Sequence, residues 1–330
     1  MAARVNRQML ETLGSGISVR RRLDPRHSLK LLICLGTVYL VWGSSFLFSK
    51  IAVEHLPAAL FCALRFTTAG MVLALCARHW TGAPWPRSIT EWRHVSIMAF
   101  LMVFANNGLN IWAIHYMPSN ESALLNGTAA LWIAVLGVFG PRGHPLSRRA
   151  VAGLAIGFVG TVLLVLPQGG IAGQSMLAQS GALGACLAWS LGTMYYRNID
   201  TAISPLMFTA LQLLVGGLMF GCLGVAHGDL ATWTTNAPGL IALGYLTLFS
   251  SCLAFTAYGW LTLNAAPTLI GTYSYVNPAI AAYLGWQFLD EHLSLTQLAG
   301  MVVILGGVVL LTLPGSSLLD AKNLEEPRSQ

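Results

Sequence analysis

Apolar residues along this chain do not alternate with polar ones in steps of two. They run in blocks of about 20 residues, separated by short polar segments. A bilayer core of about 30 Å takes about 20 mostly apolar residues per helix. Ten stretches approach or reach that length: 32–53, 57–77, 95–116, 121–140, 150–166, 178–197, 204–226, 239–263, 267–289 and 295–313. The strands of a membrane barrel would alternate in units of about 10 residues. The pattern therefore predicts an all-α integral membrane protein with ten transmembrane helices. The last stretch is the plainest, with no Asp, Glu, Lys or Arg between Glu291 and Asp320.

The blocks repeat. Leu40-Val41-Trp42-Gly43-Ser44 resembles Leu187-Ala188-Trp189-Ser190-Leu191, and a cation follows each Trp after eight residues, as Lys50 and as Arg197. The segment from Gly153 to Pro167 resembles that from Gly300 to Pro314, again 147 residues on. Spans 1–5 thus recur as spans 6–10. Five is odd, so the second copy enters the membrane upside down. Inverted repeats place a substrate site near the midplane between the halves and permit alternating access. The predicted organisation is a basic arm (1–31), a first repeat (32–167), a second repeat (178–314) and a tail (315–330). Glycines at Gly153/Gly157, Gly217/Gly221 and Gly300/Gly307 suit close helix packing.

Charge orients the bundle. Of 18 Lys and Arg, Lys50 and Arg65 fall inside spans. The other sixteen all fall in segments assigned to one side when loops alternate from the N-terminus. By the positive-inside rule both termini are cytoplasmic, in a plasma (bacterial inner) membrane. The basic balance follows from this rule and implies no nucleic acid. Charged residues are only 9% of the chain, too few to cover a soluble fold of this size. The six Cys are scattered through the spans and suggest neither a metal nor a disulfide framework. No Walker A, HExxH or GxSxG sequence is present, and no catalytic residue or cofactor is expected.

Several of these residues resemble the EamA family of the drug/metabolite transporter superfamily. They are Trp42-Gly43 with Lys50 beyond, Arg65-Phe66 in span 2, Pro278 within span 9, Glu291 after it, and Gly300 and Gly307 in the last span. The resemblance covers 32–314. It implies a ten-helix carrier that exports, or less often imports, amino acids and other small metabolites. The first copy departs from the pattern: Leu131 and His144 stand where Pro278 and Glu291 stand in the second.

Candidate pathway residues are polar or aromatic groups within spans. Arg65 lies about 12 Å along its helix from one end, at 1.5 Å per residue. Either it attracts a substrate carboxylate or it pins helix ends together; a buried Arg faces protein or water in both cases. Lys50, with Glu54 at i+4 and Glu291 at the same membrane face, is a gate or a surface ion pair. Asn106 and Asn110 share one face of span 3, and Tyr273 and Asn277 one face of span 9. With Asn126 they are interhelical glue or a cavity lining, since amides in hydrocarbon need partners. Trp42, Trp189 and Tyr258 line that cavity or pack against lipid. Pro278 removes a backbone hydrogen bond and offers a kink or hinge. His115 is a proton site or a packing residue.

No Asp or Glu sits mid-span, which argues against a proton-coupled exporter of cations. The expectation is a secondary transporter of small metabolites, an exporter of amino acids or related carboxylates, whose partners are its substrate and the lipid bilayer. Uptake and proton-coupled multidrug efflux are the transport alternatives, and a membrane-embedded enzyme is the alternative of another class.

Overall fold

The structure is a computed structural model that describes residues 25–136, 148–165, 172–265 and 273–312. Among these residues there are helices and no strands. The chain divides into two compact units, 1–33 and 34–330. The described part of the first unit is the opening of helix α1, Pro25–His55. The second unit holds every other helix and the candidate site.

The helices follow the apolar blocks. After α1 come α2 (Ala58–Thr81) and α3 (Ile89–Tyr116). Then come α4 (Ser119–Asn126), α5 (Ala129–Leu136), α6 (Arg148–Val165) and α7 (Ala172–Asn198). They are followed by α8 (Pro205–His227), the single turn α9 (Asp229–Thr232) and α10 (237–264). The last two are α11 (Tyr273–Leu289) and α12 (Leu295–Thr312). Among the described residues, five helical stretches are long and apolar enough to cross a membrane: His27–His55, α2, α3, α8 and Ala237–Thr262. α6 and α12 carry shorter apolar cores, Val151–Gly160 and Leu298–Gly307.

Local signals set the helix ends. Ser88 and Glu91 form a reciprocal capping box at the start of α3. Ser204 caps α8 ahead of Pro205, and Asn236 caps α10. Gly82 and Gly228, at φ 62° and 77°, close α2 and α8 in the left-handed conformation that glycine adopts freely.

One expectation needs correcting. The stretch 121–140 is not a single helix, because α4 ends at Asn126 and α5 begins at Ala129. Gly127 N–H bonds both Ala123 O and Leu124 O, and Thr128 N–H bonds Leu125 O at 3.0 Å. The Thr128 hydroxyl also donates to Leu125 O, at 2.7 Å. The i→i−3 bonds to Leu124 O and Leu125 O tighten the chain and end the helix. By contrast, α11 runs through Pro278 without interruption. The first repeat is thus interrupted at Gly127, while in the second Pro278 lies inside α11. Residues 137–140 and 267–272, the tail from 313, the arm through 24 and His144 lie outside the described residues.

The 147-residue repeat is visible in three dimensions. Arg148–Val165 recurs as Leu295–Thr312, and Ala58–Thr81 as Pro205–His227. Both α3 and α10 widen at their centres into π-helix, at Ala99–Ala105 and Leu246–Ala254. Each helix packs on its counterpart: α2 runs along α8, and α6 along α12. The π stretch of α3 lies on α8 and that of α10 on α2.

Glycines permit these approaches. A Cβ at Gly70 would meet Leu214 N at 2.7 Å, and one at Gly307 would meet Gly153 O and Gly157 N at 2.6 Å. In lipid the gain lies in close packing rather than in transfer from water. The largest fully buried side chains lie mostly on α2, α8 and α10, as Phe61, Phe66, Phe208 and Leu246 do, with Met98 and Ile114 on α3 and Leu125 on α4.

Candidate functional site

A cavity of about 110 Å³ lies within the second unit, walled by α1, α2, α3, α4, α7, α10 and α11. A water takes about 10–15 Å³ on this measure, so there is room for several waters or a small solute. Trp42, Arg65, Asn106, Asn110, Asn126, Trp189, Tyr273, Asn277 and Pro278 all line it. Ser45, Ser49, Asn107, Ser250 and Phe255 complete much of the wall.

Arg65 is the one charged side chain among the described lining residues. It is 3% exposed. Nε donates to Ser251 Oγ at 2.8 Å and Nη2 to Ser250 Oγ at 2.9 Å. Its guanidinium carbon lies 4.6 Å from the Phe66 ring centroid. Both serines belong to the π stretch of α10, so a cation from one repeat is held by hydroxyls from the other. Neither hydroxyl neutralises the charge, and among the described residues no carboxylate pairs with it. A buried charge without a counter-ion is strongly unfavourable, so this edge of the cavity suits an anion.

The amides are partly committed. Asn106 Nδ2 donates to Ala185 O at 2.8 Å, tying α3 to α7. Asn110 Oδ1 accepts from the Ser122 hydroxyl at 2.8 Å and from Asn126 Nδ2 at 3.2 Å, tying α3 to α4. Asn107 Nδ2 reaches back five residues to Met102 O, a carbonyl in the widened stretch of α3. Asn277 differs, because its Oδ1 is buried and accepts no hydrogen bond. A ligand N–H or O–H would satisfy it.

Trp42 is the hub of an aromatic cluster. Its ring lies 5.4 Å from Trp189, 5.7 Å from Phe255, 5.0 Å from Tyr258 and 5.7 Å from Tyr273, centroid to centroid. Tyr258 does not line the main cavity. It stands behind Trp42 and lines a second, smaller pocket. The site thus joins one cation, one unpartnered amide oxygen and an aromatic wall. That set fits a carboxylate with a hydrogen-bond donor and an apolar body.

Lys50 and Glu291 do not line the cavity. Lys50 Nζ donates to Ile114 O at 3.1 Å and Met117 O at 3.4 Å, capping the end of α3, and pairs with Glu54 at 3.7 Å. Glu291 folds back after Asp290, whose φ is 53°, to the start of α4. Its carboxylate accepts from Ser119 N at 2.6 Å, Ser119 Oγ at 2.8 Å and Asn120 N at 3.1 Å. A Cβ at Gly285 would collide with that carboxylate. Nearby, Gln179 Nε2 donates to Glu121 Oε1 at 2.6 Å, joining α7 to α4.

Sequence reasoning missed Phe255, Ser250 and Ser251. A Phe in an apolar helix resembles any packing residue. A Ser in lipid can bond its own backbone four residues back, so neither hydroxyl advertises a partner.

Comparison with known proteins gives a consistent picture. The EamA-like transporter family model matches residues 29–166 and again 176–313. The inner membrane transporter YedA of Escherichia coli K12 is 30% identical over 305 residues, which is 92% of this chain and 96% of YedA. The transporter YvbV of Bacillus subtilis is 25% identical, covering 84% of this chain and 90% of its own. A probable amino-acid metabolite efflux pump of Salmonella typhimurium is 26% identical, covering 83% and 91%. One crystal structure superposes with a TM-score of 0.64 at 21% identity, over 90% of this chain and 99% of the other.

Proposed function

Because the chain belongs to the EamA-like transporter family, we propose that it is a secondary carrier that exports amino acids or related carboxylates by alternating access. The carrying observation is Arg65, a buried guanidinium in a cavity wall, bonded to two hydroxyls and to no carboxylate among the described residues. A substrate carboxylate would complete its charge, Asn277 Oδ1 would take a substrate donor, and the Trp42 cluster would receive an apolar body. The two family matches in succession, 29–166 and 176–313, support a reading as ten spans in halves of opposite orientation that open reciprocally toward each side. The arginine-rich loops support cytoplasmic termini in an inner membrane. The Salmonella relative's name supports an amino-acid metabolite as cargo.

The test is to measure small molecules released by cells overexpressing the chain, beside Arg65→Ala and Trp189→Ala variants at equal abundance. Enrichment of a few amino or organic acids outside, lost in both variants, is expected. No enrichment from folded, membrane-inserted protein would overturn export. Enrichment that survives both changes would keep export and remove these two residues from the site.

A further inference from the structure

Beyond the aromatic cluster lies a second pocket of about 20 Å³, lined among others by Met98, Thr193, Tyr196, Gln212, Tyr258 and Thr262. Phe255 borders both this pocket and the main cavity. Tyr258, 5.0 Å from Trp42, stands between them. The pocket holds about one water at 10–15 Å³ each.

Its surface is mostly apolar, from Met98, Met102, Phe208 and Phe255, with the polar side chains of Thr193, Thr209, Gln212 and Thr262 set among them. Gln212 on α8 is 6% exposed, with Leu211 and Leu213 buried on either side of it in sequence. Its Oε1 accepts no hydrogen bond. A buried amide oxygen without a donor is unfavourable, and hydrocarbon supplies none. Gln212 lines the pocket, so a donor held there can reach it. Thr193, whose hydroxyl donates to Trp189 O at 2.9 Å, is joined to Tyr258 only by a long contact of 3.4 Å.

The pocket also has a direction. It lies toward the ends that carry arginine: Thr193 precedes Arg197 by one turn, and Met98 follows Arg93 by little more. Tyr195, next to the lining Tyr196, meets His94 Nδ1 at 2.6 Å through its hydroxyl and closes α7 against α3 at that end.

Resting on the carrier reading above, we propose that this pocket is the second leg of the translocation path. It is a hydrated vestibule between the aromatic layer and the His94–Tyr195 contact. Gln212 is its polar contact for water and for the hydrogen-bond donors of a passing solute. In this arrangement Tyr258 and Phe255 divide the two chambers, and release toward the arginine-bearing side requires the Tyr258–Thr193 contact to part.

The test uses the full chain with its six native cysteines replaced by Ser or Ala, in a form that still exports. Gln212→Cys is exposed to a membrane-impermeant trimethylammonium methanethiosulfonate applied from the arginine-bearing side. Leu218→Cys, on the lipid-exposed face of the same helix, is the control. Gln212→Cys is expected to react at least tenfold faster than the control. Gln212→Leu is expected to lower export at least tenfold at equal abundance. If Gln212→Cys does not reach the membrane, Thr262→Cys on the facing helix carries the same labelling test. Equal, slow labelling at Gln212 and Leu218 in a chain that exports would overturn the vestibule alone, as would full export by Gln212→Leu. A parent chain that moves no metabolite would overturn the carrier reading, and the vestibule with it.

Discussion

Lys50 and Glu291 direct their charges at helix ends rather than at each other. The ammonium answers the carbonyls that close α3, and the carboxylate answers the first N–H groups of α4. Loss of such a cap costs about 0.5–2 kcal/mol. Glu291→Ala should therefore lower the thermal midpoint of the detergent-solubilised protein, whereas Lys50→Met, with Glu54 already half exposed, should lower it by less. An unchanged midpoint in Glu291→Ala would mean that water replaces the cap. Arg65→Gln keeps a donor where Nε meets Ser251, falls short of Ser250 and removes the charge. Charge-assisted bonds are worth about 1.5–3 kcal/mol, so export of a carboxylate should fall about 10- to 100-fold while the fold survives. Transport kinetics on the substrate named by the release experiment would check this.

At the scale of elements, neighbouring glycines of α12 separate packing from propensity. A Cβ at Gly306 meets nothing within 4 Å, while one at Gly307 meets the backbone of α6. Gly306→Ala should leave stability unchanged or raise it by about 0.5–1 kcal/mol. Gly307→Ala should cost about 1–3 kcal/mol, because the helices must part. Thermal unfolding of both variants decides it, and equal midpoints would deny the close approach of α6 and α12. Much of this level was legible in the sequence. Apolar blocks gave the helices, and paired amides at i, i+4 gave the faces that meet in the cavity. The π stretches were not legible, because a change of hydrogen-bond register leaves the apolar pattern intact. Nor was the break at Gly127, since Pro278 is the stronger local signal and yet its helix continues. What ends α4 is a pair of tightened bonds at Gly127 and Thr128, which many Gly-Thr pairs do not form.

For the whole molecule, the repeat governs both topology and assembly. Reporter fusions in the 82–88 and 198–204 segments should fall on one side of the membrane, with the termini, and a fusion at 228–236 on the other. A reversed pair would break the ten-span reading. The pairing of α2 with α8 and of α6 with α12 means that each half keeps its glycine-lined faces for the other half. A five-helix half made alone would present two such grooves to lipid with nothing of matching shape to fill them. Two separate polypeptides, cut between 166 and 176, should then find each other in the bilayer and restore export when co-expressed, while either one alone stays inactive and is degraded. The covalent link between the halves would thus serve to keep their numbers equal, leaving recognition to the glycine faces.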